Sequence, residues 1–177
     1  MSTLENKKVA ILATDGFEQV ELTKPKQALE EAGATVHVVS LEAGQIKGWD
    51  ETDWGQSVDV DITLDQAQAD TYDALVLPGG QINPDKLRVE EAAVSFVKQF
   101  GQSAKPIAAI CHGPWTLIEA DLVRGKKMTS FPSIKTDLKN AGAEWVDQEV
   151  VVDQGIITSR NPDDIPAFNK AIIEALA

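Results

Sequence analysis

The chain has 177 residues, 16 of them basic and 28 acidic, for a formal net charge of −12. That length suits one domain spanning residues 1–177 with a substantial core, and the negative charge argues against nucleic acid or an anionic membrane as a partner. One cysteine and two histidines (Cys111, His37 and His112) exclude an intrachain disulfide and a four-cysteine zinc site, and argue against a transition-metal centre of any other kind.

The first eight residues carry no signal-peptide pattern, and no apolar run approaches bilayer-spanning length, so the expected location is the cytoplasm. Val9 to Ala13 is a short apolar run closed by Thr14-Asp15-Gly16, a buried strand followed by a turn. Glu18 to Ala32 reads as a helix stopped by Gly33, with Pro25 in its first turn or kinking it. Thr35 to Ser40, rich in β-branched residues, is the next strand. Residues 41–64 are irregular and hold Trp49 and Trp54, candidates for an interface or a pocket rim. Within them, Val58 to Ile62 alternates strictly and predicts a half-exposed strand in a small hairpin at the sheet edge.

Ala74 to Leu77 is a buried strand that ends in Pro78-Gly79-Gly80. Asn83-Pro84-Asp85 then predicts a helix start, with Asn83 as N-cap, and the helix is expected to run through Phe96 and Phe100 to Gly101. Lys105-Pro106 leads into Ile107 to Ile110, and Cys111-His112-Gly113-Pro114 turns from that strand into a helix over Trp115 to Asp121, with Trp115 in the core. Beyond it come a short strand at Met128 and a helix capped by Ser133 that stops at Gly142. Strands at Glu149–Val152 and Ile156–Ser159 follow, then a last helix opened by Asn161-Pro162-Asp163-Asp164 and running to Leu176. Strands alternating with helices predict an α/β fold, a mainly parallel sheet covered by helices on both faces. In such sheets ligands bind beyond the carboxyl ends of the strands. Three of those ends carry candidate residues: the turn before Glu18, the turn at Gly79-Gly80, and Cys111.

An unpaired cysteine is most often an inert, buried one. Cys111 departs from that pattern because it stands at a strand end just before a helix, where unpaired N–H groups favour a thiolate, as a nucleophile requires. His112 is the obvious base, but adjacency in sequence does not place the two side chains in contact, and an acid would have to orient its second nitrogen. Glu18 and Glu21 are either first-turn acids welcomed by a helix dipole or a carboxylate aimed at the sulfur. Asp85 is a first-turn acid that can also orient a histidine. The Gly79-Gly80 turn can be a plain turn or can offer a backbone N–H that forms an oxyanion hole with that of His112. His37 alternates with valines in a strand and reads as structural. No GxGxxG or GxxxxGK pattern is present, so no nucleotide cofactor is expected.

Four segments resemble the ThiJ/PfpI superfamily, and within it the PfpI-type branch of bacterial general stress proteins and intracellular proteases. They are Asp15-Gly16-Phe17-Glu18 with Glu21-Leu22, Tyr72 to Gly80, Ala109 to Pro114, and Thr158 to Asp164. The resemblance runs in order over nearly the whole chain. It implies a three-layer flavodoxin-like sandwich with Cys111 as nucleophile, Glu21 hydrogen-bonded to its sulfur, Glu18 nearby, Gly80 and the His112 amide as oxyanion donors, and His112 beside the nucleophile. In PfpI-type proteases the histidine's acidic partner is a glutamate of a neighbouring subunit. Asp85 occupies about that place here, one carbon shorter, which ties the site to a dimer or a hexamer of dimers. The implied activity is a cysteine-dependent hydrolase acting on reactive carbonyls or glycated substrates, with an intracellular peptidase and a redox sensor as alternatives. Class I glutamine amidotransferases share the fold but place a His-x-Glu well after the cysteine. No histidine follows His112 in this chain, which argues against glutaminase activity.

Overall fold

The computed structural model describes residues 3–177; Met1 and Ser2, at the head of the stretch read for a secretory leader, lie outside them. The first half contains β1 (Lys8–Leu12), β2 (Phe17–Glu18), α1 (Gln19–Glu31), β3 (Thr35–Ser40), β4 (Gln45–Asp50), β5 (Asp53–Asp59), β6 (Ile62–Thr63), β7 (Ala74–Leu77) and α2 (Ile82–Leu87). The second half contains α3 (Glu91–Gln102), β8 (Ile107–Ile110), α4 (Pro114–Glu119), β9 (Lys127–Met128), α5 (Lys135–Asn140), β10 (Glu144–Trp145), β11 (Val151–Asp153), β12 (Ile156–Ser159) and α6 (Ile165–Leu176).

Seven strands form the main sheet in the order β11-β12-β8-β7-β1-β3-β6, parallel except for β11. The central strands are apolar on both sides because helices cover both faces. On β1, Val9 and Ile11 pack with Leu22 and Leu29 of α1 and with Phe168 and Ile172 of α6. Ala10 and Leu12 point the other way, toward Phe96 and Phe100 of α3 and Leu117 of α4. This is the three-layer α/β sandwich that the strand–helix alternation predicts. Among the described residues no helix is long and apolar enough to cross a membrane.

Several local expectations need correction. Val58 to Ile62 is not one strand. Val58 and Asp59 end β5, which pairs with β4 and, through it, β2 in a separate three-stranded sheet, whereas Ile62 begins β6 at the edge of the main sheet. Pro25 sits in the middle of α1 rather than in its first turn. The helix expected from Asn83 to Gly101 is two helices. In one continuous helix, 100° per residue would put Val89 on the face of Ala93, Phe96 and Phe100. The break before α3 instead leaves Val89 76% exposed while Leu87 and Phe96 both reach the core.

Asn83 is not an N-cap either, because α2 starts one residue earlier. Its buried amide accepts from the Thr14 N–H at 2.8 Å and donates to the carbonyls of Pro78 and Gly79 at 3.0 and 3.2 Å. One side chain thus ties the ends of β1 and β7, where buried backbone groups have no water to turn to. Asn83→Ala strands those groups and is expected to cost about 3 kcal/mol. Urea unfolding tests this, and a loss below about 1 kcal/mol would remove the bracing role.

Candidate active site

β8 ends in Cys111, whose φ of 63° is left-handed, a conformation that costs a non-glycine residue about 1–2 kcal/mol. Two backbone bonds hold it there. The Cys111 N–H donates to Ser159 of β12 and the Cys111 carbonyl accepts from Phe131. The reversal lifts the side chain off the sheet at the start of α4, as a nucleophile elbow does. It also settles the question that adjacency leaves open, since Cys111 Sγ lies 3.1 Å from His112 Nδ1.

Glu21 reaches the same sulfur from the first turn of α1. It is wholly buried, and its Oε1 accepts from the Gly79 N–H at 2.9 Å. Its Oε2 is buried without a hydrogen-bond partner, and the carboxyl as a whole interacts with the Cys111 side chain. This close approach explains the Pro-Gly-Gly turn. A Cβ on Gly79 would stand 2.6 Å from both Cys111 Cβ and Glu21 Oε1. Gly80 has φ 81°, and a Cβ there would lie 2.5 Å from the Gly16 carbonyl. With no side chain in the way, the N–H groups of Gly80 and His112 both point at the sulfur.

Burial sets the protonation of this cluster. Desolvation pushes Glu21 up to about 8, and a bond from Gly79 only partly offsets it. Burial likewise pushes the Cys111 thiol up, a charged Glu21 would push it further, and the N–H groups of Gly80 and His112 pull it back. At neutral pH Glu21 is mostly protonated, so the like charge beside the sulfur is absent. The elbow's helix start therefore does not by itself yield a thiolate, contrary to the expectation from sequence.

His112 is held by Phe131 and by two residues with other expectations from sequence, Ser133 as a helix cap and Trp115 as core. Its Nε2 lies 3.1 Å from Ser133 Oγ, its ring stacks on Phe131 at 5.0 Å, and it meets Trp115 edge to face. Ser133 does not cap a helix. It lies in a 3₁₀ turn, Pro132–Ile134, ahead of α5, which leaves its hydroxyl free for the imidazole. Trp115 is only half-buried and donates from Nε1 to Asp137 at 2.8 Å. Burial lowers the His112 pKa, and the Asp137 charge partly restores it. An S/T followed by an acid four residues on was the available signal, and it reads equally well as helix-end chemistry.

Cys111, His112, Glu18, Glu21 and Gly80 line one cavity of about 490 Å³, with Trp49, Glu51 and Phe131 on its walls. Burial raises the Glu18 pKa, the Glu51 N–H lowers it, and Asp50 and Glu51 raise it again; its Oε2 has no partner. Asp85 is exposed on α2, and within one chain both ring nitrogens of His112 are engaged by other groups. His37 is structural as expected, with Nδ1 2.9 Å from the Tyr72 hydroxyl. Among the described residues no group of three His, Cys, Asp or Glu side chains is placed to hold a metal ion.

The chain belongs to the DJ-1/PfpI family, whose model matches residues 7–175. It is 46% identical over 173 residues to "Protein/nucleic acid deglycase 2" of Escherichia coli K12, covering 97% of this chain and 98% of that one. It is 45% identical over 172 residues to "General stress protein 18" of Bacillus subtilis 168, covering 96% and 98%. A solved two-domain protein from Anabaena variabilis, with DJ-1/ThiJ/PfpI-like and ferritin-like domains, superposes with a TM-score of 0.90 at 41% identity. That match covers 96% of this chain and 48% of the other.

A buried glutamate with its pKa raised to about 8 makes stability depend on pH. Between the ordinary glutamate range and about 8, the native chain holds a proton that the unfolded chain has released, so this contribution to stability falls as pH rises. Glu21→Gln keeps the acceptor for Gly79 and removes the titration. Its stability relative to the wild type should rise by roughly 3 kcal/mol from pH 5 to pH 8. Urea unfolding across that range measures it, and a flat difference rules out the protonated carboxyl.

Proposed function

We propose that this member of the DJ-1/PfpI family is a cysteine-dependent enzyme acting on reactive carbonyls, of deglycase or glyoxalase type. The observation that carries it is one sulfur in contact with two proton carriers, His112 Nδ1 and Glu21, and with the N–H groups of Gly80 and His112. The deglycase name of a relative matched over 97% of the chain supports the reading.

With the imidazole proton on Nε2, Ser133 Oγ accepts it and the Nδ1 lone pair faces the thiol, which is the tautomer this reaction uses. The thiol proton passes to Nδ1 as sulfur adds to the aldehyde carbon, and the C=O electron pair moves to oxygen. Gly80 and His112 N–H groups hold that oxyanion until a proton returns and a hemithioacetal forms. For methylglyoxal, Glu18 takes the proton from the former aldehyde carbon, and an enediol forms. Reprotonation at the neighbouring carbon gives an S-lactoyl thioester, which water cleaves to lactate and the free thiol. No external oxidant is needed, because one carbon is oxidised as its neighbour is reduced. With a hemiaminal glycation adduct, sulfur displaces the amine at the same carbon: the C–S bond forms as the C–N bond breaks, and the thiol proton, carried by His112, passes to the departing nitrogen to give the same hemithioacetal. Ser133 acts through His112 and is a positioning residue. A homo-oligomer in the cytoplasm belongs to this reading, as the resemblance and the lone thiol imply.

Lactate formation from methylglyoxal is the test. Cys111→Ala should abolish it, and a variant as active as the wild type, or an inactive wild type, would overturn the assignment. Ser133→Ala should lower kcat by about tenfold with KM unchanged and shift the pH profile, since the imidazole loses its fixed tautomer. Ser133→Thr should restore much of the loss, and an unaltered pH profile in Ser133→Ala would remove the positioning role.

A further inference from the structure

One wall of the Cys111 cavity comes from the small sheet. β2 pairs with β4 so that Glu18 stands beside Trp49, and the two-residue turn after Asp50 brings Glu51 to the cavity. The Glu18 carboxylate accepts the Glu51 N–H, which fixes it to that turn. Two carboxyl oxygens of residues lining the cavity lack a hydrogen-bond partner, Glu18 Oε2 and Oε2 of the wholly buried Glu21 on α1. Against the Glu18 and Glu51 carboxylates, no lysine or arginine among the described residues lines the cavity. A cleft lined by one sign of charge focuses its field on whatever enters.

We propose that Glu18 and Glu51, set in place by β2 and β4, form a charge filter that admits neutral and cationic carbonyl compounds to Cys111 and repels anionic ones. The filter belongs to the site proposed above, but it acts on access to the sulfur and does not depend on turnover. A carboxylate within a few ångströms of the approach path slows an anion by about tenfold relative to a neutral molecule of the same shape. Glu51 is exposed, so its share is screened by salt.

Iodoacetamide and iodoacetate are nearly isosteric and differ by one negative charge. Both alkylate the same thiolate, so the ratio of their rates at one pH cancels the thiol pKa and leaves access. Cys111 is the only cysteine, so the rate reports this site alone. Measured against 2-mercaptoethanol, the wild-type ratio of amide to acid rates should be about tenfold higher, fall about threefold in Glu51→Gln, and fall again in high salt. Glu51→Lys should lower it further. A wild-type ratio equal to that of 2-mercaptoethanol, or one that Glu51→Gln leaves unchanged, overturns the filter. Turnover separates the two claims. Methylglyoxal should be preferred to the anionic aldehyde glyoxylate, with the preference reduced in Glu51→Gln. A chain that shows the alkylation pattern but turns over neither aldehyde keeps the filter and defeats the enzyme reading.

Discussion

A carboxyl group stripped of water keeps its proton unless a cation stands beside it. Glu21 sits among a backbone amide, glycine and sulfur, so it keeps its proton to about pH 8. Much of the site's shape follows from seating that group. Gly79 lacks a side chain because Glu21 Oε1 and Cys111 Cβ fill the space. Cys111 takes a left-handed backbone, and its sulfur then meets Glu21 instead of returning to the sheet. Asn83 holds the ends of β1 and β7 together and braces the Pro78-Gly79 turn that Glu21 bonds.

Burial moves the two proton carriers in opposite directions. It raises Glu21, an acid, and lowers His112, a base, because it disfavours the charged form of each. The resting site at neutral pH is therefore a neutral carboxyl, a thiol and a neutral imidazole, a set that a buried pocket tolerates. In the proposed reaction charge is created only when sulfur gives its proton to Nδ1, and two backbone N–H groups are already aimed at that sulfur. Preorganised donors of this kind act on developing charge without rearranging.

The layers of the fold were legible because they rest on local signals. Apolar runs such as Ala74–Leu77 and Ile107–Ile110 can be little else but buried strands, and the strand–helix alternation forces the parallel sheet. Cys111, Glu21 and Gly80 were legible as candidates because each lies at a strand or helix end with its own motif. What surrounds His112 was not. Ser133, Phe131 and Trp115 each carry a sufficient local explanation as cap, loop or core, and only tertiary packing puts all three around one imidazole. Asn83 misled for a related reason, since Asn-Pro-Asp is a good helix start and its long-range bond from Thr14 leaves no trace in sequence. The two-sheet division of residues 45–63 escaped because alternation reads the same across a strand and across the break between two.

The arrangement around His112 also bears on where its acid comes from. Within the chain, the negative charge that raises the imidazole pKa is that of Asp137, which acts at a distance and is held by the Trp115 indole. Ser133 occupies the Nε2 position that the third member of a triad would take. In the proposed oligomer, an Asp85 from a second copy would have to compete with Ser133 for that nitrogen. The exchange would trade a neutral acceptor for a charged one and raise the basicity of an imidazole that burial keeps low. A stronger base would favour the thiolate–imidazolium pair that peptide cleavage needs, whereas a neutral pair suffices for addition to an aldehyde, which is far more electrophilic than an amide. In the proposed reaction, the in-chain partners of His112 thus suit the same cysteine to carbonyl chemistry.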